Sequence, residues 1–493
     1  MKTLELATEV VVVGSGAGGG AAAVELVQAG REVLILEMGN RELPKSFTQR
    51  EEQMMPRLFQ DAGARTTADK AIQVLQGKGL GGSTLHNLNL CKRIDPELFE
   101  LWAKTRDLPD IGERLRPHYD HFEKALSIAA VPEDRINRNN QILRAGAEAL
   151  GWKNGPLRHN RTGCIGSGFC ELGCAYDAKN NSAKILIPAA EKGGAKVLTG
   201  IRVTQVLHRF GRATGVSGQI LDERGQVVGH ATIRAERVVL AASATGSAAL
   251  VIASGLPDPY RQAGRGLTLH PGATVGGVFD EPVDGWKGVP QSWECDELLH
   301  PTDPDRRMWL VPVFGHPVAT AAMLPGLGPE AVARIGSYRH IAAITPMLHD
   351  STVGRVDARG DARPLLHYSL NDADRRMMAK GVSAAAQVLL AAGAREVLIP
   401  TAVPQVVRTA KEAIAVAQQA FGPLDPPLAA VHPMGGMCMG GDPHTSATNA
   451  DGRHHHCPNL WIADAGLFPT STGVPPQWST YSFGRLVGQA AGA

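Results

Sequence analysis

The chain has 493 residues, 43% hydrophobic and 20% charged, with 56 glycines and 32 prolines, the composition of two or three globular α/β units with a turn-rich periphery. Its 50 basic and 48 acidic residues nearly cancel, which excludes an electrostatic case for a nucleic acid or an acidic membrane and leaves recognition to pocket shape. There is no run of about 18 apolar residues, and Glu5 stands where a signal peptide would build its apolar core, so a cytoplasmic protein without a membrane segment is expected.

In chain order, Glu9 to Val13 form a β-branched apolar run, Gly14-Ser15-Gly16-Ala17-Gly18-Gly19 follows, and Ala21 to Gln28 reads as a helix. Strand, glycine turn and helix in that order suit a dinucleotide. Gly14 permits the tight turn, Gly16 lets backbone amides approach a pyrophosphate, Gly19 lets helix and strand pack closely, and the helix N-terminus faces the negative charge. A second strand, Glu32 to Leu36, ends in Glu37, whose carboxylate suits ribose hydroxyls and repels the 2′-phosphate of NADP. These features leave FAD and NAD both open. Gly77 to Asn87 (Gly-Lys-Gly-Leu-Gly-Gly-Ser-Thr-Leu-His-Asn) is a second glycine-rich loop, for which a simple NAD dehydrogenase has no use.

The seven cysteines are an odd number, and three of them, Cys164, Cys170 and Cys174, crowd one glycine-rich loop with C-x5-C-x3-C spacing. That is a poor disulfide framework and a candidate thiolate cluster. Three ligands with no obvious fourth fit a [3Fe-4S] centre; zinc with a distant ligand and plain buried cysteines stay open beside it. Further on, the apolar strand Arg237 to Ala241 precedes Ala242 to Gly255 (Ala-Ser-Ala-Thr-Gly-Ser-Ala-Ala-Leu-Val-Ile-Ala-Ser-Gly). Arg334 to Met347 and Gly354 to Tyr368 alternate as strands, and Ala373 to Ala392 and Thr409 to Phe421 read as helices. The consecutive His454, His455 and His456 have diverging side chains on any regular backbone, so an exposed loop is expected there and not a metal site.

Three stretches carry a family resemblance. Gly77 to Asn87, Ala242 to Gly255, and His432-Pro433-Met434-Gly435-Gly436 through Asp464-Ala-Gly-Leu-Phe-Pro469 resemble, in this order, the two signatures and the C-terminal active-site segment of the glucose–methanol–choline (GMC) oxidoreductases, FAD enzymes acting on alcohols. The resemblance implies an α/β fold: a Rossmann-like FAD-binding domain of residues 1–270 and 431–493, with the Cys-rich loop at 160–180, and a smaller α+β substrate-binding domain of residues 271–430. It implies that Gly14, Ser15, Gly16, Ala17, Gly18, Gly19 and Glu37 hold the ADP half of FAD. Gly79, Gly81, Gly82, Ser83 and Asn87 would lie against the pyrophosphate and isoalloxazine, Val203 beside adenine, and Asp464 near the ribityl chain. His432 would be the base for hydride transfer from a primary or secondary alcohol to flavin N5, a task suited to histidine at neutral pH.

The segment Met308 to Leu327 is apolar, which leans toward a lipophilic small-molecule alcohol. The cysteine spacing is similar to that in catalytic subunits of membrane-linked sugar dehydrogenases of the family, which pass electrons to a partner subunit. One departure stands out. Where family members usually carry a second His or Asn for the substrate oxygen, this chain has Pro475, which has no donor side chain and no amide hydrogen. Gln477, Ser479, Thr480 or His270 are the candidate substitutes, and the departure also admits an isomerase- or lyase-type flavin reaction without net alcohol oxidation. His86, in the second glycine loop, is expected to be a free histidine and not a covalent flavin link.

Overall fold

Val10 to Val13 are all buried, and a run without polar alternation belongs in the middle of a parallel sheet covered on both faces. The computed structural model, which describes residues 2–313, 315–324, 326–399, 401, 403 and 405–493, places them there. The first sheet is built from β1 (Lys2–Val13), β2 (Val33–Glu37), β3 (Lys196–Thr199), β4 (Ile201–Arg209), β5 (Arg212–Leu221) and β6 (Val227–Leu240), with α1 (Ala17–Gln28) after β1 and α2 (Ala244–Ala253) after β6. Strand order is β3-β2-β1-β6-β5-β4. The β3, β2, β1 and β6 neighbours run parallel, and β4 and β5 form an antiparallel extension. Parallel strands end together, so the glycine turn after β1, Glu37 at the end of β2 and the α2 N-terminus after β6 all reach the same edge, where open α/β sheets bind ligands.

A second sheet stands over that edge. It comprises β7 (Val275–Val278), β8 (Trp293–Cys295), β9 (Met308–Pro312), β10 (Ile341–Leu348), β11 (Glu396–Ile399) and β12 (Gln405–Val407); α3 (Pro317–Met323) lies between β9 and β10, and α4 (Asp372–Ala391) precedes β11. Its order is β12-β11-β7-β10-β9-β8, closed by the strand Asn154–Pro156, and every pairing is antiparallel. The apolar face of α4 packs in its core together with the helix Arg138–Ala149. The 138–156 stretch therefore joins the second sheet, although a division at residue 270 assigns it to the first. The chain then returns to the first sheet with β13 (Leu460–Ile462), parallel to β6, and ends in α5 (Gln477–Gly492). At one point α5 meets α1 backbone to backbone: a Cβ on Gly484 would lie 2.5 Å from the Gly18 Cα.

Three local expectations change. Arg334 to Gly336 end a helix, Gly328–Gly336, and the strand starts only at Ile341. Gly354 to Tyr368 is strand as expected, folded into a hairpin, but it pairs with Arg265–Leu267 and packs on the core of the first sheet. The helix begun by the Thr409–Glu412 capping box runs to Ala415 and tightens into a 3₁₀ turn ending at Gln418.

Candidate active site

The glycines of the first turn divide by what surrounds them. A Cβ on Gly14 would meet the Ala241 carbonyl oxygen at 2.2 Å, and one on Gly18 the Ala463 oxygen at 1.8 Å. On Gly19 it would lie 2.1 Å from the Gly14 oxygen, the close strand-to-helix packing expected of that position. Gly16 differs, because nothing lies within 3.8 Å of its Cβ position and the nearest atom is the Gly82 Cα at 3.9 Å. It faces a cavity of about 570 Å³. Gly14, Ser15, Gly16, Ala17, Gly18, Glu37, Gly82, Ser83, Asn87, Val203 and Asp464 line this cavity; Gly19, Gly79 and Gly81 do not. The last two support the loop behind it: Gly79 N donates to Glu37 at 3.3 Å and Gly81 N to Ser15 Oγ at 2.9 Å.

Glu37 is a hub as well as a lining residue. Its carboxylate accepts from Ser15 N (3.2 Å), Ser15 Oγ (2.6 Å), Gly39 N (3.0 Å) and Gly79 N (3.3 Å), which ties the first glycine turn to the second glycine loop. Burial raises its pKa despite these donors. Ser182 adds a clamp invisible to motif reading, with its hydroxyl 2.8 Å from Ser15 O and 3.1 Å from Gly16 O. Lys179 adds another. Its buried ammonium donates to the carbonyls of Leu85 (2.9 Å), Asn87 (2.6 Å) and Cys170 (2.9 Å), holding the second glycine loop from behind, and burial lowers its pKa to about 8.

The polar groups along the cavity fit FAD. The Gly16–Gly82 gap gives a flat backbone cradle beside the α1 N-terminus, suited to a pyrophosphate. Asn87 Oδ1 is buried without a hydrogen-bond partner among the described residues while its Nδ2 donates to Gln477 Oε1 at 2.7 Å, so one acceptor is left for a ligand. Asp464 lies buried where β13 ends, accepting from Ser247 Oγ at 2.5 Å and Gly466 N at 2.7 Å. Burial pushes its carboxyl up to about 6 from the ordinary 3.8. A raised carboxyl means the folded chain holds the proton more tightly than the unfolded one, so this stabilisation is present below pH 4 and is lost as pH rises through about 6. In FAD-stripped protein, Asp464→Asn is expected to gain stability at pH 7 relative to pH 4, by about 3 kcal/mol at most. Urea unfolding of wild type and variant at both pH values measures it, and an equal difference at the two values would refute it.

His432 follows a short strand, Leu428–Ala430, and lines the same cavity. Burial lowers its pKa to about 3, so the ring is neutral. Its Nδ1 lies 3.3 Å from Nδ1 of His270. Of the four substitutes for the missing partner at Pro475, His270 stands behind His432 and does not line the cavity, and Ser479 is turned away to Tyr119 Oη at 2.6 Å. Gln477 and Thr480 line it beside Pro475. Gln477 is already engaged with Asn87 and with Leu90 O at 2.6 Å, and Thr480 Oγ1 donates to Pro476 O at 2.9 Å. These bonds make Gln477 the brace of Asn87.

Beyond His432 the cavity runs under the second sheet. Small residues on β7 and β10, Gly276, Ala343 and Thr345, leave the space, and Trp309, Met347, Ile341, Leu398 and Leu324 close it with apolar surface. Ionisable side chains line one wall of it, Glu51, Glu171 and His316; the Glu171 carboxylate lies 3.5 Å from His316 Nδ1, and burial raises the Glu171 pKa to about 7.

The cysteine loop is corrected. Cys164 Sγ accepts from Arg161 Nη1 and Gly166 N, both at 3.4 Å, Cys174 Sγ accepts from Ala178 N at 3.2 Å, and Cys170 packs against the apolar cluster around Trp309. Two of the thiols thus have partners of their own and the third is packed among apolar side chains, and among the described residues no group of three His, Cys, Asp or Glu side chains is placed to hold a metal ion. The histidine triplet is corrected too. His454 is buried, with its Nδ1 accepting from His456 N at 3.2 Å, and His455 Nε2 pairs with Ser446 Oγ at 3.0 Å, so the segment is folded into the protein and not an exposed loop. Among the described residues no helix is long and apolar enough to cross a membrane.

Comparison with known proteins follows the same geometry. The N-terminal GMC oxidoreductase domain matches residues 55–272, the C-terminal one residues 350–484, and an NAD(P)-binding Rossmann-like domain residues 12–69. An uncharacterized GMC-type oxidoreductase of Mycobacterium tuberculosis is 34% identical over 97% of this chain and 75% of its own length. A long-chain-alcohol oxidase of Arabidopsis thaliana is 27% identical over 98% of this chain and 68% of its own. Among solved structures, pyridoxine 4-oxidase from Mesorbium loti superposes with a TM-score of 0.72 at 16% identity, over 98% of this chain and 99% of that one, a likeness of fold. The chain belongs to the GMC oxidoreductase family, and its Rossmann-like domain is the FAD-binding domain of that family.

Proposed function

We propose that this GMC oxidoreductase oxidises a lipophilic primary or secondary alcohol, with His432 as the base that receives the hydroxyl proton. The observation that carries this is a single cavity in which the glycine cradle and His432 open onto a chamber walled by Gly276, Ala343, Trp309, Met347 and Leu398. Bound FAD supplies the hydride acceptor, N5 of the isoalloxazine. Gly14 to Gly18, Glu37, Gly82 to Asn87, Val203 and Asp464 would hold it. The chain's own part is to place the carbinol carbon, exclude water with the second sheet, and hold the hydroxyl at His432. An Arabidopsis relative named for long-chain alcohols supports an apolar substrate body.

The test is an anaerobic series from 1-butanol to 1-hexadecanol, read by bleaching of the flavin. Each methylene buried in the chamber is worth about 0.8 kcal/mol, so kcat/KM is expected to rise about fourfold per methylene until the chamber is filled. A free sugar that bleaches the flavin faster than every alkanol would overturn the substrate class.

A further inference from the structure

The contact between His270 and His432 has room for one hydrogen. Their Nδ1 atoms, 3.3 Å apart, are near enough to hydrogen-bond and too near for both to carry hydrogen. The other nitrogen of His270, Nε2, accepts the Gly473 N–H at 2.9 Å. A neutral imidazole has one N–H, so the proton of His270 is on Nδ1 and points at His432. Nδ1 of His432 must then accept, and the hydrogen of that ring sits on Nε2. Burial keeps both rings neutral.

His270 is held firmly enough to impose this choice. Its backbone has φ of +51°, a left-handed conformation costly for histidine. Asp350 secures it, accepting from Leu269 N at 2.8 Å and His270 N at 3.2 Å. Asp350 is itself fixed by Tyr368 Oη at 2.6 Å and Ser471 Oγ at 2.7 Å. Gly473 has φ of +70°, and a Cβ there would lie 3.0 Å from His349 Nδ1, so the N–H that sets the tautomer comes from a backbone position only glycine suits.

We infer that His270 is a positioning residue that sets the tautomer of His432: in the resting state His432 meets a bound hydroxyl as an Nε2–H donor, and it accepts a proton only after both rings exchange tautomers. This assignment rests on the alcohol-oxidising reading of the site. In the exchange, water carries the His432 hydrogen from Nε2 to Nδ1 and that of His270 from Nδ1 to Nε2, taking a proton from one ring nitrogen and delivering one to the other, with no net change of charge. His270 Nε2–H then opposes Gly473 N–H, and loss of that one buried hydrogen bond holds the accepting form to roughly one part in ten to one in a hundred. In that form the substrate O–H bond breaks, its proton bonds to His432 Nε2, the hydride leaves carbon with its electron pair for the flavin, and the carbon–oxygen bond becomes a carbonyl. His432 is left as an imidazolium whose Nδ1–H rests on His270. Holding the substrate oxygen first as an acceptor orients the carbinol before the proton moves.

The experiment is ¹⁵N NMR of the FAD-loaded protein labelled at histidine, with the His432 resonances identified by their loss in His432→Gln. Nδ1 of His432 is expected to be of the unprotonated, pyridine type and Nε2 of the protonated, pyrrole type; a pyrrole-type Nδ1 on His432 would overturn the assignment. In His270→Asn, where asparagine tolerates the left-handed backbone, the His432 signals are expected to move to the average of two tautomers at unchanged FAD content. Unchanged signals would also overturn it, since a residue that merely supports the fold leaves the tautomer alone. The wild-type spectrum decides even if that variant does not fold. No substrate is needed, so failure of the alcohol reading shows separately, as a flavin that no alcohol bleaches.

Discussion

Replacing His432 with glutamine is expected to slow anaerobic bleaching of the flavin by an alcohol by about 10²–10⁴-fold, the range for loss of one positioned acid–base group. FAD content is expected to stay at the wild-type level, because the residues that line the cofactor part of the cavity, from Gly14 to Gly18 and at Glu37, belong to other segments. Glutamine keeps a hydrogen-bonding side chain but cannot take the proton released when hydride leaves carbon. The neighbouring Pro475 offers no replacement, and Gln477 and Thr480 are bonded within the protein. Stopped-flow bleaching at saturating alcohol separates the chemical step from binding. A loss under tenfold would remove His432 from the chemistry and return attention to the carboxylate wall at Glu171.

Gly16→Val is expected to yield a folded protein that no longer retains FAD. The Gly16 backbone, with φ of −64°, is open to any residue, and a Cβ there meets nothing closer than 3.9 Å, so the chain itself does not object to a side chain. What the side chain fills is the cavity between the two glycine loops. Backbone donors at the α1 N-terminus would lose their approach to the pyrophosphate, and two lost charge-assisted hydrogen bonds correspond to at least about a hundredfold in Kd. The unfolding midpoint of the variant should match that of FAD-stripped wild type, and its absorbance after gel filtration should lack the flavin bands. Stoichiometric FAD in the purified variant would show that the cofactor does not pass this glycine. Gly18 marks the contrast, since its Cβ would strike the Ala463 carbonyl and its role is to let β13 and α5 close on the turn.

Residue order was enough for the parts of this protein that are local. Val10 to Val13, the glycine turn, the helix to Gln28 and the strand ending in Glu37 follow from side-chain periodicity and from conformations few residues but glycine adopt. Gly77 to Asn87 and His432 to Gly436 could be read because each is a continuous stretch that resembles a family segment. The second sheet was less legible. Its strands are short and come from residues 154 to 407, so pairing partners are far apart in sequence, and the alternation of Gly354 to Tyr368 could not say on which core that hairpin would pack.

The same limit divides the site. That Cys164, Cys170 and Cys174 are close in sequence was visible, but where their thiols turn depends on the fold: Arg161 and Gly166 bond Cys164, Ala178 bonds Cys174, and Cys170 packs against apolar side chains. His454 carries no mark in sequence that distinguishes it from an exposed histidine, because its burial comes from the surrounding fold. The glycine turn of a dinucleotide site was thus legible in residue order through local spacing, and His432 was legible only through the resemblance of its segment to a family motif. His270 behind His432, Lys179 behind the second glycine loop and Ser182 on the first turn were decided by tertiary structure. Each acts through hydrogen bonds to backbone or side-chain atoms between about ninety and two hundred residues away, and such bonds leave no periodic trace in the chain.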